Sequence, residues 1–196
     1  MAVQILIPLK PLAVAKQRLA PDLAPVERRR LMISMLEHVC CQALAARVGP
    51  VALATSEPAA PLLAERLGVD VLSDAGLPWN EGLRHALRSA PAGLRGVLYL
   101  AGDLPLATAR EIAELVRGKP DPGAVIGRSH DGGTNALAVW PADAFTPAFG
   151  APASAQRHQQ LAELAGLPAQ VIDLPGIALD VDTPQDVVRA ATAVAT

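Results

Sequence analysis

The chain has 196 residues, 51% of them hydrophobic, and a formal net charge of -2. This length suggests a single domain over residues 1–196 with material for a full core, and this composition excludes a disordered chain. The weak negative charge argues against a general nucleic-acid-binding protein, although local lysines and arginines can still bind a small anion.

No segment of the sequence resembles a signal peptide or a membrane span. The N-terminal MAVQILIPLK has no basic region before its short apolar run, and no stretch reaches the ~18 apolar residues of a span. Cys40 and Cys41 are adjacent, which fits neither an ordinary disulfide nor a zinc site, so both are interpreted as reduced thiols in or near the core. We therefore expect a soluble, cytoplasmic protein.

Strand and helix patterns alternate through the first half of the chain. Strands are predicted at 3–9, 51–55, 69–72, 96–101, 124–127, 135–140 and 169–174, and helices at 25–47, 61–67, 80–90, after 108, at 154–165 and at 183–195. Continuous apolar strands are typical of a parallel sheet, and the two close later strands suggest one antiparallel addition. The order predicts an α/β fold, a mostly parallel mixed sheet with helices on both faces.

Ligands of such open sheets bind beyond the carboxyl ends of the strands. This rule selects the loop from Lys10 to Arg18, the residue Asp103, the segment around Gly133, and the late segment 178–183. These four segments hold the candidate functional residues.

Asp180 and Asp182 are two residues apart, so in an extended chain they project to the same side. The start of a helix explains Thr183, Pro184 and Asp186 without any further function. A turn before that helix explains Asp182 only in part, and nothing structural explains Asp180.

Asp103 follows the apolar run GVLYLAG, where it is either a turn residue or a ligand. Thr108 and Glu111 have the spacing of a capping box, so Asp103 is not needed as a helix cap. Asp103, Asp180 and Asp182 together would suit Mg²⁺, which prefers oxygen ligands and combines one or two carboxylates with substrate phosphates.

Lys10, Lys16 and Arg18 give the first loop its positive charge. They are either solvated loop residues or phosphate ligands. The loop lacks a G-x-x-x-x-G-K-[ST] cradle, so phosphate binding here would depend on side-chain cations and backbone amides.

The segment DGGTN at 131–135 is either a turn into a strand or an anion site formed by backbone amides and the Thr134 hydroxyl. His158 is more simply a packed or surface histidine than a catalyst. The spacing of the chain predicts no Ser-His-Asp, Cys-His or zinc-ligand arrangement.

Five motifs occur in this order: IPLK with AK-x-RL, GDLPL, GGTNAL, FG followed by Ser and His, and DVDTP. Together, almost end to end, they resemble the nucleotidyltransferases that activate 2-phospho-L-lactate or phosphoenolpyruvate with GTP in coenzyme F-420 biosynthesis. The resemblance implies a Rossmann-like nucleotidyltransferase (GT-A-like) fold, GTP and a small phosphorylated acid as partners, Mg²⁺ as cofactor, and release of pyrophosphate.

The resemblance also implies residue roles. It implies Mg²⁺ binding by Asp103, Asp180 and Asp182, and binding of the acid's carboxylate end by Thr134, Gly150 and Ser154. It further implies that Lys10, Lys16 and Arg18 hold the nucleotide phosphates, with Asp103, Lys16 and Arg18 central to catalysis, and that Asn80 lies near the base or ribose.

Two departures from the family pattern concern the substrates. Gly150 and Ser154 are four residues apart where the pattern has three, which puts the choice of acid in doubt. Trp79 precedes Asn80 where the pattern tends to have leucine. The identity of the acid stays open among phosphoenolpyruvate, 2-phospho-L-lactate and 3-phosphoglycerate. The oligomeric state also stays open, with a homodimer as one possibility.

Two alternatives to this function remain at this point. One is a nucleotidyltransferase of molybdenum-cofactor or sugar-acid type. Such enzymes usually have a glycine-rich or differently charged first loop, and the first loop here, IPLKPLAVAKQRL, is not glycine-rich. The other is an inactive nucleotide-binding module, disfavoured by the three intact carboxylates.

Overall fold

The computed structural model describes residues 3–194. The strands are β1 (Val3–Pro8), β2 (Val51–Ala54), β3 (Asp70–Leu72), β4 (Gly96–Leu100), β5 (Gly123–Arg128), β6 (Thr134–Trp140) and β7 (Ala169–Ile172). The helices are α1 (Pro25–Ala46), α2 (Ala60–Leu67), α3 (Trp79–Arg88), α4 (Ala109–Glu114), α5 (Ser154–Leu164), α6 (Pro175–Ala178) and α7 (Pro184–Val194).

The strands form one seven-stranded sheet in the order β3-β2-β1-β4-β6-β5-β7. β6 runs antiparallel to both of its neighbours, and the other neighbouring pairs are parallel. The predicted α/β class, the mostly parallel mixed sheet and the one antiparallel addition are therefore confirmed.

The sheet is covered on both faces, as predicted. On β1, Ile5 and Ile7 face a core formed with α1 and α4, while Leu6 faces the opposite core with α3 and α5. All three side chains are fully buried. Burial on both faces explains why β1 is apolar without alternation.

Both predicted helix starts at the site edge of the sheet are confirmed. Thr108 Oγ1 accepts from Glu111 N at 3.2 Å, and Thr108 N donates to Glu111 Oε2 at 3.1 Å. Thr183 N donates to Asp186 Oδ2 at 2.9 Å, at the start of α7. Asp103 is therefore free of a capping role.

Most predicted elements lie within two residues of their observed bounds, but α6 was not predicted. Its four residues, Pro175–Ala178, are too few for a periodic pattern to show. The predicted helix at 183–195 ends on residue 195, which lies outside the described residues. Both cysteines are free thiols, as predicted, and Cys40 is buried in the core. The predicted core or near-core position is wrong for Cys41, which is exposed because its neighbour on α1 takes the buried side. Within residues 3–194, no helix is both long and apolar enough to cross a membrane.

Candidate active site

The predicted site segments meet at one edge of the sheet. β1 and β4 are parallel neighbours, so the loop after Pro8 and the residue Asp103 leave the same edge. β6 is antiparallel to β4, so it begins where β4 ends, and Ala101 N donates to Asn135 O at 2.8 Å. The reversed strand therefore brings Thr134, at its first position, to the carboxyl edge.

Asp103, Asp180 and Asp182 converge at this edge. Each offers a carboxylate oxygen, and these three oxygens all lie within 4.8 Å of one another. Val181 N donates to Asp103 O at 3.2 Å, which ties the two distant segments together through the backbone. An all-oxygen donor set of this size can hold a divalent cation such as Mg²⁺.

Lys16 is buried against two of these carboxylates, with its side chain 5% exposed. Its Nζ donates to Asp182 Oδ1 at 2.9 Å and also to Asp103 Oδ2. Burial alone lowers the pKa of Lys16, but the charges and hydrogen bonds of Asp103 and Asp182 outweigh it, so the pKa is raised and the ammonium stays charged. Arg18 Nη1 donates to Asp182 Oδ2 at 3.0 Å from an exposed position.

The first loop is held in place by buried anchors and by Arg28 of α1. Leu12 and Leu19 are buried on either side of Lys16. The Arg28 guanidinium, itself buried, donates to Leu23 O at 2.8 Å and to Ala15 O at 3.4 Å. These contacts fix the loop without glycine, although Lys16 has a left-handed φ of 52°.

Asp180 is partly buried, and burial dominates the pKa of its carboxyl group. Burial raises its pKa, and a hydrogen bond from Asn135 Nδ2 to Asp180 Oδ1, 3.0 Å long, opposes that rise. Asn135 Nδ2 also donates to Ile177 O at 2.9 Å, which links β6 to α6. Asn135 therefore orients a candidate metal ligand.

Asp186 supports this site through the backbone. Its Oδ2 accepts from Asp182 N at 3.2 Å, from Thr183 N at 2.9 Å and from Thr183 Oγ1 at 2.7 Å. Burial alone would raise the pKa of Asp186, but these hydrogen bonds from Thr183 and Asp182 lower it. The cap of α7 thus fixes the chain that carries Asp182.

Thr134, Ser154 and His158 form a hydrogen-bonded group beside the carboxylates. Ser154 Oγ donates to Thr134 Oγ1 at 3.1 Å, and His158 Nδ1 lies 2.9 Å from the same oxygen. Ala148 N donates to His158 Nε2 at 2.9 Å. His158 is completely buried, and burial lowers its pKa to about 4.

The longer segment between Gly150 and Ser154 is accommodated by two left-handed residues. Gly150 has a φ of 78°, and Ala153, directly before α5, has a φ of 50°. A Cβ on Gly150 would meet no other atom within 4 Å, so its backbone conformation rather than crowding favours glycine. The extra residue leaves Ser154 at the first position of α5.

The turn before β6 uses its own amides. Gly132 N donates to Ser129 O at 3.1 Å, and Gly133 N donates to Asp131 Oδ1 at 2.9 Å. Of the two alternatives for this segment, the turn into a strand is therefore observed. The amides of Gly132 and Gly133 are used within the turn, so an anion bound here would contact the Thr134 hydroxyl instead.

Asn80 holds the loop that carries Gly150. Its Oδ1 accepts from Phe149 N at 3.0 Å, and its Nδ2 donates to Phe149 O at 3.2 Å. Lys10 lies beside the neighbouring residue, with Nζ 4.5 Å from the centroid of the Trp79 ring. The predicted contact of Asn80 with the base or ribose stays a prediction.

A cavity of about 550 Å³ connects these groups. Its lining includes several predicted site residues, namely Lys10, Lys16, Arg18, Asp103, Thr134, Gly150 and Asp182. Asp180, Ser154 and Asn80 lie outside the lining found among the described residues and contact it through their neighbours. The sequence therefore identified the charged residues that line this cavity, but not most of its apolar lining.

Arg28, Asn135 and His158 are the supporting residues that sequence reasoning missed or left as structural. Arg28 was not singled out in the sequence, and Asn135 lay inside the DGGTN segment without a role of its own. His158 was weighed as a packed histidine, which its burial bears out, but its contact with Thr134 gave no sign in the sequence.

The fold of the chain is shared with solved structures, one of which is a nucleotidyl transferase. A nucleotidyl transferase from Methanothermobacter thermautotroptrophicus has the same fold, with a TM-score of 0.73 at 16% identity over 98% of this chain and 97% of that one. The CMP:2-keto-3-deoxy-manno-octonic acid synthetase complexed with CTP gives a TM-score of 0.65 at 16% identity, over the full length of both chains.

The chain belongs to the family described as Guanylyl transferase CofC like, whose model matches residues 3–191. A phosphoenolpyruvate guanylyltransferase from Sphaerobacter thermophilus is 44% identical, over 92% of this chain and 88% of its own length. A phosphoenolpyruvate guanylyltransferase from Mycobacterium sp. (strain KMS) is 40% identical, over 96% of this chain and 85% of its own length. The predicted family and enzyme class are confirmed.

Proposed function

We propose that the chain transfers the guanylyl group of GTP to a small phosphorylated acid and releases pyrophosphate. Phosphoenolpyruvate is the favoured acid because two relatives at 40–44% identity carry that name, with 2-phospho-L-lactate and 3-phosphoglycerate as alternatives. The observation that carries the proposal is the cavity in which Lys16 and the carboxylates of Asp103 and Asp182 face Thr134 and Gly150.

The cationic side of the cavity would hold the nucleotide phosphates. Lys16 and Arg18 reach it from the first loop, and Lys10 lines it from the same loop. Arg18 is 73% exposed and is free to turn toward a ligand, whereas Lys16 is fixed. This arrangement supplies positioning and charge stabilisation, on which phosphoryl and nucleotidyl transfer mainly depend.

The carboxylate cluster would hold Mg²⁺ through Asp103, Asp180 and Asp182. When bound, Mg²⁺ would neutralise the phosphates and orient the two substrates. The all-oxygen donor set fits this ion, and the hydrogen bond from Asn135 orients Asp180 for the purpose.

The opposite side of the cavity would hold the acid. The Thr134 hydroxyl and the backbone at Gly150 suit a carboxylate, which accepts hydrogen bonds and offers none. The Ser154 hydroxyl would act from behind, through its hydrogen bond to Thr134 Oγ1. The phosphate of the same acid would then face Lys16 and the nucleotide.

The reaction needs no protein base. A phosphate monoester has a second pKa of about 6, so at pH 7 it is mostly a dianion and attacks as it stands. One of its oxygens forms a bond to the α-phosphorus of GTP, the bond from that phosphorus to the β-phosphate oxygen breaks, and pyrophosphate leaves with the bonding electrons. A diphosphate-linked guanosine adduct remains, which we assign to coenzyme F-420 biosynthesis on the family resemblance.

A pyrophosphate-release assay tests the proposal. GTP, ATP and CTP are each paired with phosphoenolpyruvate, 2-phospho-L-lactate and 3-phosphoglycerate, with Mg²⁺ and with excess EDTA. We expect release that requires GTP, one of the acids and Mg²⁺ together. Preference for CTP, or undiminished release in EDTA, would contradict it, as would greater release when a sugar phosphate is added as a fourth acceptor. Nucleotide binding without release for any acceptor would indicate an inactive module.

A further inference from the structure

We infer that His158 is a positioning residue for the acid: it donates its Nδ1 hydrogen to Thr134 Oγ1 and so directs the Thr134 hydroxyl hydrogen into the cavity. This inference rests on the proposed function, because it takes Thr134 as a contact of the bound acid.

The tautomer of His158 is set by the backbone. Ala148 N donates to Nε2 at 2.9 Å, and a backbone N–H can only donate, so Nε2 carries no hydrogen. The ring is completely buried, and burial lowers its pKa to about 4, which makes it neutral near pH 7. A neutral imidazole with a bare Nε2 has its hydrogen on Nδ1.

That hydrogen determines what Thr134 can do. Nδ1 lies 2.9 Å from Thr134 Oγ1, and Ser154 Oγ donates to the same oxygen at 3.1 Å. A hydroxyl oxygen that accepts two hydrogen bonds still has one hydrogen to donate. Thr134 lines the cavity, so that hydrogen is directed to a ligand there, and an anionic oxygen is its best acceptor.

The ring of His158 cannot turn over without breaking other contacts. The Phe149 ring packs edge-on against it, with centroids 4.9 Å apart and an interplanar angle of 61°. Asn80 holds the backbone of Phe149 through two hydrogen bonds. The loop with Gly150 and the hydroxyl of Thr134 are therefore positioned by one imidazole, through its two nitrogens.

Two substitutions separate these two contacts. His158→Asn places an amide near the position of Nδ1 and keeps a donor to Thr134, whereas His158→Gln places an amide near Nε2 and keeps an acceptor for Ala148 N. We expect His158→Gln to raise the KM for the acid about 3- to 10-fold, the size of one lost hydrogen bond, with little change in the KM for GTP. His158→Asn should recover most of this loss, and His85→Gln on α3 serves as the histidine control.

A double-substitution cycle tests whether His158 acts through Thr134. In a Thr134→Val background, His158→Gln should add almost nothing to the KM for the acid. An unchanged acid KM in active His158→Gln enzyme, an equal rise in both KM values, or full additivity with Thr134→Val would overturn the inference.

Nitrogen NMR of the wild-type protein at neutral pH reads the tautomer without any substrate. We expect a neutral ring with its hydrogen on Nδ1; a hydrogen on Nε2 or a charged ring overturns the inference. If no acid supports turnover with GTP in the wild type, the proposed function fails and the acid role of His158 fails with it, while an Nδ1 hydrogen would still establish the hydrogen-bond arrangement. Active wild type with the wrong tautomer would instead refute the inference alone.

Discussion

Lys16 Nζ donates to Asp182 Oδ1 at 2.9 Å and also to Asp103 Oδ2, so one ammonium group joins the two carboxylates. The ammonium thus contacts two of the three carboxylates that could hold a divalent cation. Lys16 and the proposed Mg²⁺ compete for the same two carboxylates, so metal binding and the position of this side chain are coupled.

Replacing Lys16 by methionine should separate metal affinity from catalysis. The metal-free variant should lose about 1–3 kcal/mol of unfolding free energy, because Asp103 and Asp182, both partly exposed, lose their shared hydrogen-bonding counter-charge. It should bind Mg²⁺ more tightly than the wild type, since the competing ammonium is gone, yet turn over more slowly. Calorimetric titration measures the Mg²⁺ affinity, denaturant unfolding measures the stability, and pyrophosphate release measures the turnover. Weaker Mg²⁺ binding by Lys16→Met than by the wild type would contradict the competition.

Arg18 should matter to the nucleotide and hardly at all to stability. Its ion pair with Asp182 is exposed, and such pairs contribute at most about 1 kcal/mol. Arg18→Ala should therefore leave the unfolding free energy nearly unchanged and raise the KM for GTP. Denaturant unfolding and steady-state kinetics measure the two effects, and Arg66→Ala, which removes a comparable exposed pair with Glu37, is the control. Equal effects of the two variants on the KM for GTP would refute the role of Arg18.

Asp186 should contribute to stability first and to turnover only through Asp182. Asp186→Ala removes the acceptor of three hydrogen bonds at the start of α7, and loss of a helix cap typically costs about 0.5–2 kcal/mol. Urea unfolding should show that loss. The residual turnover of Asp186→Ala should exceed that of Asp182→Asn. If Asp186→Ala were as inactive as Asp182→Asn and as stable as the wild type, Asp186 would have a direct role in the reaction.

The neutral state of His158 predicts a pH-dependent stability. Its pKa is about 4 in the folded protein against an ordinary 6.5, so the unfolded chain binds more protons between these values. The stabilisation from the neutral ring is complete above pH 6.5 and is lost as the pH falls toward 4. At 1.36 kcal/mol for each pKa unit, that loss is roughly 3 kcal/mol of unfolding free energy.

Comparing the wild type with His158→Gln isolates the contribution of His158 to the unfolding free energy, because the two proteins have all other titrating groups in common. The difference in unfolding free energy between the wild type and the variant should shrink as the pH is lowered from 7 to 4.5. Parallel stability curves over that interval would show that His158 is not the group responsible.

Much of the fold was readable from the sequence because the physical signals are local and strong. The continuous apolar run of β1, for example, indicates burial on two faces. Thr108 with Glu111 and Thr183 with Asp186 mark helix starts by spacing alone. α6 was not readable, because its four residues form one turn and its position depends on contacts with β5 and β6.

The site was readable only where the topology of the sheet determines proximity. Carboxyl ends of parallel strands share an edge, so Asp103 and the first loop were expected together, and Thr134 joins them because β6 is reversed. The hydrogen bond between Asn135 and Asp180 and the contact of His158 with Thr134 depend on side-chain packing between distant segments. No spacing in a single sequence encodes such contacts.

Asp103→Asn tests the central claim, that three carboxylates form a metal-dependent catalytic centre. The amide can still accept a hydrogen bond from Lys16, and Asp182 remains as its counter-charge, so the variant should fold and lose less unfolding free energy than Lys16→Met. Asp173→Asn, at an exposed carboxylate paired with Arg128, is the matched control.

The decisive measurement is Mg²⁺-dependent pyrophosphate release from GTP and phosphoenolpyruvate by these two variants and the wild type. We predict a loss of at least about 100-fold for Asp103→Asn, as expected when a ligand of a catalytic ion is removed, and unchanged release for Asp173→Asn. Near-normal release by folded Asp103→Asn would contradict the account.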